Sequence, residues 1–452
     1  MIRSIFMNFS TRLISTVLLL VAMAAIVAAQ QTGTPTISVQ TSNVSEFDVN
    51  GLKVILKRRA SAPTVSVGLF VRGGVRNLTE KTAGIESLML NSAIEAGQSF
   101  PRQAVRRELA RTGSTIAASA GSDFSVVSMV SSREAFDRMW KVFTDVTMKP
   151  LFDPADVNRV RDQMVTGLRE QETVPDSALV ALENKIITAG HPYANDPTGT
   201  TSTLAALTPA QLRDHHKKVM ETSRLLLVVV GDIDEADLRT RVAATLSTLP
   251  KGNYQEVPLP ALDFSKPTLD VVARQLPTNY VKGDFAAPSL GSPDYYAMRM
   301  AMAVLASRIF QEVRVRRQLS YAPNADIGTM SVNSAFVYVT AVDANQAVDV
   351  MLKEIERLKR ESISNDELTG SAGEFLTNYY LKQQTNSAQV GDLARWELLG
   401  GGWRNSFEFL NRINQVKPED VRAAATKYMK NLRFVVIGDP AAIDRSVFIA
   451  AK

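Results

Sequence analysis

The side chains best suited to chemistry are few. His191, His215 and His216 are the three histidines, and the 452-residue chain has no cysteine. The lack of cysteine removes thiolate-held zinc, iron–sulfur clusters, disulfide frameworks and thiol nucleophiles together. Neighbouring helical residues point about 100° apart, so His215 and His216 do not face one ion and read as surface residues. His191, in His191-Pro192-Tyr193, reads as a residue that orders a turn by hydrogen bonding. A basic run of Arg308, Arg314, Arg316 and Arg317 leads to Tyr321. By residue type alone it is a solvated helix face, with Tyr321 opening a strand. It lacks the interleaved aromatics that stack nucleic-acid bases.

Composition supports the same exclusions. Apolar residues make up 45% and charged residues 21%, ordinary for a globular chain. The formal charge is +5, or +3 without Arg3 and Arg12, too small a bias for a nucleic-acid partner. Those two arginines precede an apolar run at 17–27 and a small-residue stretch ending at Ala29. Charge, a short apolar run, then Val27 and Ala29 at −3 and −1 describe a secretory signal peptide over 1–29. The run falls short of the ~20 residues needed to span a bilayer, so no stable membrane anchor is expected. The expected location is periplasmic or secreted. Residues 30–45, rich in Thr and Ser, read as a flexible lead-in.

The elements that must position any site come in two matching sets. Thr208-Pro209-Ala210-Gln211 opens a helix with an N-cap, a proline at N1 and a capping box. Met220 closes it, and the apolar run 225–230 follows. Lys417-Pro418-Glu419-Asp420, Met429 and the run 433–437 repeat that order about 210 residues later. Upstream, Asp153-Pro154 and Ser364 to Glu367 are paired helix starts. Each follows an amphipathic helix: Phe136, Met139, Trp140, Phe143 and Val146 in one, Val348, Met351, Ile355 and Leu358 in the other. Each of those follows an alternating strand. A duplication accounts for the constant offset. Between the copies, Pro250, Gly252, Pro258, Pro260 and Pro267 mark a proline-rich linker. The expected class is α+β: two homologous domains, 46–249 and 268–452, joined by 250–267. Each is a mainly antiparallel sheet covered on one face by helices.

The order of these signals resembles the insulinase/pitrilysin family of zinc metallopeptidases, which includes the mitochondrial processing peptidases. The resemblance runs from Gly51-Leu52-Lys53 through Gly73-Gly74, Ala83-Gly84, His191-Pro192-Tyr193 and Gly199 to the C-terminus. It implies a clamshell half. In active members the helix after the Ala-Gly turn carries H-x-x-E-H: two histidines ligate zinc, the glutamate activates water, and a later helix adds a glutamate ligand. Here the positions the resemblance assigns to those groups hold Ser87, Leu90, Asn91 and Gly167. No metal or other cofactor is expected in this chain. The resemblance does supply Arg314 and Tyr321, at the family's spacing of seven, as a pair that holds substrate and stabilises an oxyanion. It also implies a strand edge near 114–122 for peptide addition. The expected role is an exported, zinc-free subunit paired with a zinc-bearing homologue, the two acting on an unfolded peptide. A scaffold or peptide-binding pseudoenzyme outside hydrolysis is the alternative, and an autonomous hydrolase with other ligands the third.

Overall fold

The computed structural model describes residues 41–449. The expected leader, 1–29, and the lead-in through residue 40 lie outside the described residues. Val44 and Ser45, assigned above to a flexible lead-in, instead begin a strand, because Val44–Val49 pairs antiparallel with the next one.

Among the described residues the strands form two sheets. The first contains β1 (Val44–Val49), β2 (Leu52–Arg58), β3 (Thr64–Arg72), β4 (Thr115–Ala120), β5 (Phe124–Ser132) and β6 (Leu225–Gly231), in the order β1-β2-β6-β3-β5-β4. The second contains β7 (Thr268–Ala273), β8 (Asn279–Ala287), β9 (Asn324–Ile327), β10 (Asn333–Ala341) and β11 (Arg433–Gly438), in the order β7-β11-β8-β10-β9. Without β1 the two orders are identical. The pair β2–β6 is parallel, as is β7–β11, and every other pairing is antiparallel.

The first half carries helices α1 (Ile85–Ala93), α2 (Arg102–Thr112), α3 (Phe136–Met148), α4 (Pro154–Thr173), α5 (Pro175–Ile187), α6 (Thr201–Ala206), α7 (Pro209–Val219) and α8 (Glu235–Ala244). The second carries α9 (Asp294–Ile309), α10 (Ala344–Arg360), α11 (Asn365–Lys382), α12 (Asn386–Leu399), α13 (Arg404–Asn414), α14 (Pro418–Tyr428) and α15 (Arg445–Ile449). The helix-start signals do what their chemistry allows. Thr208 and Gln211 bond reciprocally at the start of α7, and Asp153 accepts the Ala155 N–H at α4. Met220 and Met429 end α7 and α14 in one backbone conformation, φ −85°, ψ 64° and φ −78°, ψ 66°. The stripes on α3 and α10 are buried to the last named residue. At α11 only half of the box forms: Ser364 accepts the Glu367 N–H, while the Glu367 carboxylate turns to Arg308.

Coverage on one face is corrected. Each sheet also receives a helix from the other half on its second face. Helix α12 lies on β3 and β6, and α5 lies on β8 and β11. Leu179 of α5 packs on Val435 and Ile437 of β11, all three buried. Glu183 pairs with Lys282 at 2.5 Å, and Asp176 accepts from the Tyr338 phenol. Across the other seam, Asn386 Nδ2 donates to Thr64 O at 2.7 Å and Lys53 Nζ to Glu397 at 2.7 Å. Gly68 makes room there: a Cβ on it would sit 2.5 Å from Phe70 Cε2 of its own strand and 2.8 Å from Val390 Cγ1. This exchange explains why β6 is apolar and buried at every residue rather than alternating.

Residues 250–264 hold neither helix nor strand, yet they are tied to the first half. Thr222 N donates to Pro250 O, and Asn77 donates to the Tyr254 phenol. His191 orders its turn as expected, its Nδ1 accepting the Tyr193 N–H at 3.0 Å. Its Nε2 therefore carries the proton and donates to Pro260 O at 3.0 Å.

Candidate functional site

Helix α1 starts at a close crossing of two chain segments. Gly84, at φ +85°, precedes it, and a Cβ there would lie 2.7 Å from Gly199 Cα. That approach explains both glycines. The helix runs beside β4, α4 and α7 and buries nearly all its side chains. Leu88, Met89 and Leu90 enter the core. Ser87 is buried, and Asn91 Nδ2 turns back to donate to Ser87 O at 2.9 Å, an ordinary i to i−4 contact. Gly167 lies on α4, which packs against α1, and a Cβ there would meet nothing within 4 Å. Space for a longer residue exists there.

The donor set does not suit zinc. Hydroxyl, amide, leucine and glycine stand where imidazole and carboxylate would be needed. Among the described residues no three His, Cys, Asp or Glu side chains gather in a way that could hold a metal ion.

Sequence reasoning passed over Glu86, the residue that organises this helix start. It is 1% exposed, accepts from Ser125 Oγ and lies 3.4 Å from His215 Nε2. Arg224 adds a guanidinium nitrogen at 3.8 Å while stacking on Tyr254. The assignment of His215 and His216 to the surface is therefore corrected. Helix α7 is packed on two sides, so directions about 100° apart both point inward. His215 meets Glu86. His216 donates to Thr147 O at 2.8 Å and lies edge-on to Phe152. Burial pushes the His216 imidazolium below the usual range, leaving the ring neutral. A lone acid in an otherwise apolar helix start was the available signal for Glu86.

Asp123 ties the halves together beside this region. Its carboxylate accepts from Arg76 at 2.9 Å, from the Tyr193 phenol at 2.6 Å and from Ser331 N at 3.0 Å. Burial beside that acid raises the Tyr193 phenol, so it stays a donor. Strand β4 is the outer strand of its sheet, alternately exposed and built from small residues.

The basic run is not one solvated face. After α9 the chain makes a π-helical turn, Phe310–Arg316, and Gln318 takes a left-handed φ of +53°. Arg308 is buried and forked onto Glu367 at 2.6 and 2.9 Å. Arg316 and Arg317 both grip Glu312, whose carboxyl they hold below its usual range. Arg314 is different. Its guanidinium carbon lies 4.1 Å from the Tyr321 ring centre and 5.0 Å from that of Phe310. Tyr321 is 79% exposed and precedes β9 rather than opening it. Such stacking fixes a cation while leaving its donors available. Among the described residues no hydrogen bond, ion pair or ring contact joins Arg314 or Tyr321 to Ser87, Leu90, Asn91 or Gly167.

Comparison with known proteins adds a lineage to this geometry. The profile of the insulinase family, peptidase family M16, matches residues 53–200, and that of the peptidase M16 inactive domain matches 206–371. The mitochondrial-processing peptidase subunit beta of Saccharomyces cerevisiae is 20% identical over 429 residues, spanning 89% of this chain and 92% of that one. Cytochrome b-c1 complex subunit 1 of Bos taurus is 22% identical over 271 residues, 59% of this chain and 56% of that one. The structure of a peptidase M16 inactive domain from Pseudomonas fluorescens matches with a TM-score of 0.78 at 20% identity, over 88% of this chain and 98% of that one. The periplasmic protease PqqL of Escherichia coli matches with a TM-score of 0.75 at 15% identity, over 91% of this chain but 50% of its own.

Proposed function

Since the chain belongs to the insulinase family, peptidase family M16, we propose that it is an exported, zinc-free subunit that completes a peptidase with a zinc-bearing homologue. Its two domains, 46–249 and 268–452 about the 250–267 linker, form one half of the assembly. The observation that carries this reading is the Arg314–Tyr321 stack, with Tyr321 exposed and Arg314 half-buried, in a chain whose α1 offers no zinc donors. A guanidinium fork and a phenol donor suit the backbone of an extended peptide and the oxyanion of a tetrahedral intermediate. The partner would contribute the metal-activated water, and β4 an edge for the peptide backbone. Two chains of this size match one PqqL chain in length, which favours completion by a second half.

The test is peptide hydrolysis by the reconstituted pair, using a homologue from the same genome with an intact H-x-x-E-H. Arg314→Ala and Tyr321→Phe should each lower kcat/KM by ~10²–10³, the range for loss of one oxyanion donor. Unchanged hydrolysis by both variants would remove the proposed role. Similarity to a cytochrome b-c1 complex subunit favours the second reading, a scaffold or peptide-binding pseudoenzyme outside hydrolysis. Export is tested separately, by N-terminal sequencing for cleavage after Ala29.

A further inference from the structure

The second half contains a cavity of about 1150 Å³, to which the reading above assigns no role. It lies among α9, α11, α12, α13 and β9. One wall is aromatic. The Phe409 ring centre lies 5.7 Å from those of Phe375 and Tyr379 and 5.4 Å from that of Trp396. Against this wall stand three charged side chains of α9, β9 and α12, and Arg395.

Their pairing decides what the cavity can hold. Arg299 is ion-paired with Asp326 and stacked on Phe375. Asp392, three residues before Arg395 on α12, is turned to Ser406, whose Oγ donates to its carboxylate, and it makes no ion pair with Arg395. Arg395 lines the cavity, and among the described residues no hydrogen bond or ion pair reaches it. A permanently charged, five-donor group thus stands beside an aromatic wall with no acceptor from the protein among the described residues.

The edge strand beside the cavity is a poor receiver for a peptide. Strand β9 has four residues, and its Ile327 N–H is taken by the Asp326 carboxylate at 2.8 Å. Arg299 holds that carboxylate in place. A side chain that caps its own strand edge opposes strand addition. The occupant must then be recognised by its body and its charge.

We propose that this cavity binds a small monocarboxylate with an aryl or alkyl body, its carboxylate forked on Arg395 and its body on the Phe375, Tyr379, Trp396 and Phe409 wall. The cavity is larger than such a ligand, which would occupy only the part between Arg395 and the aromatic wall, and a bidentate Arg–carboxylate pair would fix its orientation there. Phe310, one of the two rings that stack on Arg314, also lines this cavity, but the proposed site uses neither Arg314 nor Tyr321 and stands whether or not their role holds.

The test uses the full chain and two probes, 4-phenylbutyrate and its neutral amide, titrated by calorimetry and by Trp396 fluorescence. The acid should saturate one site, with the amide at least about tenfold weaker. Arg395→Gln should weaken the acid by about tenfold or more and leave the amide unchanged. Gly391→Leu is the second variant. Gly391 lines the cavity, and a Cβ on it meets nothing within 4 Å, so leucine fills space there without clash. It also improves the helix. Gly391→Leu should abolish binding of both probes while thermal stability is kept. The proposal fails if the acid does not saturate, if acid and amide bind alike, or if both variants bind as wild type does. It fails equally if a peptide with blocked ends saturates the site and the acid does not.

Discussion

Replacing Leu179 by alanine tests whether the exchanged helices hold the two halves together. Leu179 belongs to α5 of the first half but is buried on Val435 and Ile437 of the second half's sheet. The change removes three buried carbons. At about 0.8 kcal/mol per methylene the transfer share alone is about 2.4 kcal/mol. The space left behind raises the loss toward the upper part of the ~2–5 kcal/mol range for such substitutions. Val180 is the internal control, because it is the next residue on the same helix and is 48% exposed. Val180→Ala should change stability by about 0.5 kcal/mol or less, and both replacements favour helix. Urea unfolding followed by far-ultraviolet circular dichroism and by tryptophan fluorescence measures the difference. A weakened seam should also separate the two probes' midpoints, since Trp140 sits in the first half's core and Trp396 in the second's. Equal losses from Leu179→Ala and Val180→Ala would refute the claim that this seam is a structural core.

Three further outcomes follow from the same structure. Asp284 is fully buried, and burial followed by the charge of Glu183 raises its carboxyl well above 3.8 despite Lys282 and Arg433 nearby. A carboxyl raised in the folded state adds stability that is complete below 3.8 and is lost as pH rises through the raised value. Asp284→Asn should therefore flatten the alkaline side of the urea-midpoint profile, and parallel profiles for mutant and wild type would count against a buried neutral acid. Gly68→Ala should cost about 1–3 kcal/mol, with partial recovery when Val390→Ala is added, read from a double-mutant cycle. Dialysis of the isolated chain against a zinc chelator should leave its urea midpoint unchanged, because α1 and α4 offer no donor set; a fall would show a structural ion.

Much of the architecture was legible because it rests on local chemistry repeated at one offset. The α7 and α14 starts each combine a proline at N1 with a side chain that bonds back to the preceding N–H, and each ends at a methionine before an apolar strand. Those signals are carried by neighbours in the chain. The histidines were misplaced for the opposite reason. Spacing along α7 told which way two side chains diverge, but not that α1 waited on one side and Thr147 on the other.

The boundary between the two kinds of knowledge is physical. Residue type alone settles which donors α1 and α4 can offer at Ser87, Leu90, Asn91 and Gly167, since no folding turns a leucine or glycine into a ligand. The unbroken apolar run at 225–230 also marked a buried strand, although cover on one face was expected. Only tertiary structure decided that the cover comes from the other half, because a face reports that it must be buried but not by what. It likewise decided which arginine is left over. Arg308 is neutralised by Glu367, 59 residues away, and Arg316 and Arg317 by Glu312, so that Arg314 stands stacked between two rings with its donors free.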